Sequence, residues 1–127
     1  QRMTPRLLDS IRTIMAEWEE MRLGGDPETV DREVTLNHAF HFEIYRACGS
    51  TILPPMIESL WLQSGPFTRA AIYAFAEAGA QDAARFHHDI LNALTAGDGV
   101  AARAALVADI SRPFAYLREK LGKEGDA

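Results

Sequence analysis

The 127-residue chain carries 47% hydrophobic and 24% charged residues, the proportions of a single soluble globular domain, which excludes a disordered tail. Its net charge of -5 and the lack of any basic run exclude a nucleic-acid-binding surface, so any DNA contact has to be made elsewhere. The single cysteine, Cys48, excludes an internal disulfide and a Cys-rich zinc site and fits a cytoplasmic protein; no apolar run is long enough to cross a membrane.

With 20 Ala and 12 Leu against 4 Val, the composition predicts an all-α fold. The first helix starts at the Thr4 cap and Pro5 and keeps Leu7, Leu8, Ile11, Ile14, Met15, Trp18 and Met21 at helical spacing. The pattern begins so close to Gln1 that the chain reads as a fragment with a segment missing upstream. Gly24-Gly25 ends this helix, and Asp26-Pro27-Glu28 starts a second that runs to about Cys48. Pro54-Pro55 fit the first turn of a third, which Gly65-Pro66 interrupts, giving either two short helices or one long kinked one. Gly79 closes that segment, a further helix spans about Ala80 to Ala96, and a last one runs from beyond Gly97-Asp98-Gly99 to about Leu121, followed by a polar, frayed tail. The sum is a bundle of about six helices.

Polar residues on apolar stripes carry the functional signal. Val30, Val34, Asn37, His41, Ile44 and Cys48 alternate steps of four and three, so Asn37 and His41 sit on the inward face of the second helix. His87 is the single polar member of the stripe Ala83, His87, Ile90, Leu91 and Leu94, while His88 points about 100° away. Asp109 shares a face with Ala102, Ala105, Leu106, Pro113 and Leu117. Buried polar groups need partners, so four such residues imply either a hydrogen-bonded core network or a metal. His38 falls off the stripe and is expected to be exposed; Cys48, closing an apolar stripe at a helix C-terminus, is expected to be structural. Motifs for zinc proteases, di-iron bundles, α/β-hydrolases, P-loops and dinucleotide folds are all missing from the sequence, which disfavours an enzyme.

The run Asn37-His38-Ala39-Phe40-His41 followed by Ile44-Tyr45-Arg46-Ala47, together with His87-His88-Asp89-Ile90-Leu91-Asn92-Ala93-Leu94 and Gly97-Asp98, resembles the C-terminal effector-binding domain of GntR-type transcription regulators of the FadR subfamily, the FCD domain. Many members place a third histidine 22 residues after the previous one, the position held here by Asp109. The resemblance implies an antiparallel bundle that binds a divalent metal (zinc, nickel or manganese) with one Asp and three His, which carries over to Asn37, His41, His87 and Asp109. Two of the four differ from the commonest set, but Asp109 restores the negative charge that Asn37 lacks. It also implies one effector-binding and dimerisation domain over 1–127, a homodimer, a small organic or sugar acid as effector, and DNA contact through a winged helix-turn-helix upstream of Gln1. Arg69, Tyr73 and Tyr45 are the residues expected to grip the effector. A metal-dependent hydrolase or lyase using the same cluster, and a purely structural dimerisation module, are the rival readings.

Overall fold

The computed structural model describes residues 3–23, 29–77 and 82–125. They form five α-helices: α1 (Pro5–Leu23), α2 (Thr29–Arg46), α3 (Leu53–Glu77), α4 (Asp82–Ala96) and α5 (Gly99–Gly125), with no strand among the described residues. The Gly24-Gly25 break, the Asp26-Pro27-Glu28 start and the Gly79 stop lie outside those residues.

Local chemistry sets most of the visible boundaries. Thr4 Oγ1 accepts from the Leu7 amide at 3.3 Å and caps α1. α2 ends at Arg46, two residues earlier than the expected limit at Cys48, and the chain then turns through Gly49, whose φ of 73° is the left-handed conformation that suits glycine at a helix end. Ser50 Oγ then accepts from the amides of Ile52 and Leu53, and Pro54 and Pro55 occupy the first turn of α3, where no donor is required. Gly97, at φ 70°, separates α4 from α5, and Asp98 Oδ1 accepts from the amides of Val100 and Ala101 at 3.1 and 2.9 Å. Asp98→Ala removes this cap, and we expect a loss of about 1 kcal/mol in urea unfolding.

The expected six helices become five because Gly65-Pro66 does not break α3. Pro66 removes the amide donor that would reach the Leu62 carbonyl; in the flanking turns the Ser64 hydroxyl donates to the Trp61 carbonyl and the Thr68 hydroxyl to the Ser64 carbonyl, both at 3.1 Å. At the other end of the chain, α5 runs to Gly125 rather than stopping near Leu121.

The packing closes on itself: α1 lies against α2, α2 against α3, α3 against α5, α5 against α4, and α4 against α1. One part of the interior is filled by Ile11, Met15 and Trp18 of α1, Leu36 and Phe40 of α2 and Ile90 of α4. The side enclosed by α2, α3 and α5 is left open as a cavity of about 370 Å³.

Candidate metal centre

Three helices each contribute one polar side chain to a single point on the cavity wall. His41 and His87 are 2% and 3% exposed, and Asp109 is 9% exposed, at positions where the stripes of α2, α4 and α5 otherwise hold apolar residues. Asp109 Oδ2 lies 2.9 Å from His41 Nε2 and 3.5 Å from His87 Nε2. One ligand atom from each of the three falls within 4.8 Å of the others. Ligands bonded at about 2.1 Å and at right angles to one another stand about 3 Å apart, so the two Asp109 distances match neighbouring positions around one ion. The donors, two imidazoles and one carboxylate, suit a first-row divalent metal such as zinc, nickel or manganese.

Aromatic packing fixes both rings. His87 stacks on Phe40 with centroids 4.3 Å apart and meets Trp18 at 5.0 Å, while the His41 and His87 rings are 5.6 Å apart and nearly perpendicular. The Tyr45 oxygen lies 3.5 Å from His41 Nδ1, one helical turn along α2.

Burial is the largest influence on His41 and holds its pKa below the usual histidine value, against the hydrogen bond and charge of Asp109 and assisted by the nearby His87. Burial alone pushes the Asp109 carboxyl up, but the hydrogen bonds and charges of His41 and His87 together outweigh it and bring it down to about 2. Tyr45 is pushed up to about 12, first by burial and then by the Asp109 charge, so its phenol stays protonated. A neutral His41 thus donates Nε2–H to Asp109 and turns Nδ1 toward the tyrosine. Coordination through Nε2 needs the other tautomer, in which Nδ1–H donates to the Tyr45 oxygen; Tyr45 serves either state because a hydroxyl both donates and accepts.

The other expected site residues divide. Asn37 and Tyr45 line the same cavity, Asn37 one turn before His41 on α2. Arg69 and Tyr73 do not line it, which corrects the expectation that they grip an effector: both are exposed, and Arg69 pairs with Asp31 on the outside of α2. The inward phase of α3 is carried by Ile57, Trp61, Ser64, Thr68 and Ile72, and each of the two expected residues stands one position, about 100°, beyond an inward one. Arg69→Ala therefore leaves ligand binding unchanged and costs under about 1 kcal/mol, as calorimetry and thermal melting would show.

His38 is half-buried rather than exposed, stacked on Phe42 at 4.0 Å with the edge of Trp61 at 5.3 Å, because α3 packs over that side of α2. Cys48 is exposed, not part of the packed stripe, since α2 ends before reaching it. His88 points outward as expected and meets Glu19 at 2.6 Å. Reading the stripes missed Glu33 and Thr68, both of which line the cavity. Glu33 was findable as the residue four before Asn37, which is four before His41.

The family model described as the FCD domain matches residues 1–112. The HTH-type transcriptional regulator McbR of Escherichia coli (strain K12) is 25% identical over 123 residues, covering 97% of this chain and 54% of the relative. The chain thus spans about half the length of the curated relative it matches. No solved structure matches.

Proposed function

The chain belongs to the FCD domain family, and from that premise we propose that it is the effector-sensing domain, over 1–127, of a GntR-type transcription regulator of the FadR subfamily, in which a small carboxylic acid binds beside a divalent ion held by His41, His87 and Asp109. The observation that carries this reading is the meeting of three ligand atoms from three separate helices at the wall of a solvent-reachable cavity. Such a bound ion supplies a positive charge and free coordination positions in a largely apolar enclosure, which an entering carboxylate otherwise lacks. Asn37, one turn from His41, is proposed as a fourth, neutral oxygen ligand.

The residues of the site bind and orient. His87 is clamped between Phe40 and Trp18, His41 is fixed through Tyr45, and Asp109 links the two imidazoles, so the three donors are held together before any ion arrives. The role proposed is sensing, not catalysis. With a net charge of -5 this part of the protein repels DNA, so operator binding falls to a winged helix-turn-helix elsewhere in a longer, cytoplasmic, homodimeric protein, in keeping with the name of the half-matched relative. No helix among the described residues is long and apolar enough to cross a membrane.

The test is a thermal-shift screen of small carboxylic acids, run once with zinc, nickel or manganese and once with chelator. A ligand at a hundredfold excess over Kd stabilises the folded state by about 2.7 kcal/mol, a shift easily read. We expect shifts only in the metal arm. Equal shifts in both arms would show that the ion takes no part in sensing.

A further inference from the structure

We propose that this cavity selects a monocarboxylate with an apolar body and rejects sugar acids and polycarboxylates, an inference that rests on the cavity being the effector site. Two features of the wall carry it. The first is the distribution of polarity. Glu33, Asn37, His41 and Tyr45, each four residues from the next, form a polar strip along one side of α2. The facing walls are Ile57, Trp61 and Ile72 of α3 and Ile110, Pro113 and Phe114 of α5. The two hydroxyls on those walls, Ser64 and Thr68, already donate to carbonyls of their own helix. A body lined with hydroxyls would be desolvated against largely apolar walls on which Ser64 and Thr68 offer acceptor lone pairs alone, whereas a hydrocarbon body is driven in.

The second feature is charge. Asp109 neutralises half of a divalent ion, leaving a single positive charge, which one carboxylate balances. No Lys or Arg lines the cavity among the described residues, so a second carboxylate finds no cation there. The remaining acidic side chain on the wall, Glu33, stands eight residues before His41, about 12 Å along the helix axis, and adds negative charge to the lining. Leu60 and Ile110, which line the cavity yet remain 65% and 42% exposed, mark an apolar mouth between α3 and α5.

The experiment is calorimetric titration of the zinc-loaded chain with three probes of similar size: cyclohexanecarboxylate, gluconate and adipate. Cyclohexanecarboxylate is expected to bind at least tenfold more tightly than either of the others. Equal or tighter binding of gluconate or adipate overturns the proposal, and so does failure of all three to bind. Ile72→Asn places an amide in the apolar wall and is expected to narrow the preference over gluconate at least threefold; Ile57→Asn repeats the test if the first variant does not fold. An unchanged preference in a folded variant puts the ligand elsewhere and overturns the assignment. Zinc content is measured alongside. Zinc that fails to bind, or that His87→Ala leaves in place, defeats the reading of the site itself, whereas bound zinc with gluconate preferred defeats only the ligand class.

Discussion

His41→Ala and His87→Ala are each expected to lower the affinity for zinc by at least about a hundredfold, measured by competition with a chromophoric chelator. Outer-sphere partners of metal ligands already contribute about 10–100-fold, so removal of a ligand atom has to do at least as much. Here the loss leaves one imidazole and oxygen donors, too few strong ligands to compete with water. The metal-free variants must be melted in parallel, because His87 fills space between Phe40 and Trp18 and its loss opens a hole in the packing. Asn37 separates the proposed four-ligand site from a three-ligand one. If its amide oxygen coordinates, Asn37→Ala weakens zinc binding and Asn37→Asp, which adds a charge, strengthens it. Insensitivity to both confines the site to His41, His87 and Asp109. Unaltered zinc binding in both histidine variants would return the cluster to a hydrogen-bonded core network.

The three residues that meet were legible because helical periodicity is local and desolvation is severe. A polar side chain on an otherwise apolar stripe is visible without knowing which helices touch, and His41, His87 and Asp109 each interrupt such a stripe. The phase of α3 was not legible. Gly65-Pro66 left two short helices or one kinked helix open, and Arg69 and Tyr73 of the following segment were expected to reach an effector. The helix continues through the proline, and its inward face carries Thr68, Ala71 and Ile72, each of the two misplaced residues standing one position beyond an inward one. His38 was misplaced for a tertiary reason: its burial is created by Trp61, a residue of another helix, and no spacing within α2 announces it. The closed order of packing, with α5 between α3 and α4, is likewise a long-range result. It places Asp109 opposite His41 and His87 and turns three separate anomalies into one centre.

Replacing Asp109 by Ala is expected to destabilise the metal-free domain by about 2–4 kcal/mol at neutral pH, with a deficit that widens as His41 titrates and narrows only where the wild-type Asp109 is itself protonated. The wild-type carboxyl titrates at about 2 in the fold against 3.8 for the free side chain, a difference that corresponds to about 2 kcal/mol. Its pKa is depressed in the folded state, so the stabilisation is fully present above 3.8 and is lost as pH falls toward 2. The variant adds a second cost, since the buried Nε2–H of His41 loses its acceptor. His41 works at higher pH and in the same direction. Its folded pKa lies below the ordinary 6.5, so below that value the unfolded chain takes up a proton that the fold refuses, and stability declines as the solution is acidified. Wild-type protein should therefore weaken in two stages, one beginning near pH 6.5 and one between 3.8 and about 2. Without Asp109 the hydrogen bond and charge that raise the His41 pKa are gone, so its pKa sinks further and the first stage extends over a wider pH range, while the second stage is missing. Urea unfolding of chelated wild type and Asp109→Ala from pH 8 down to the lowest pH at which both still fold would reveal this. A stability difference that stays constant across that range would mean that Asp109 contributes by packing alone, without the charge pairing that prepares the three ligands to receive an ion.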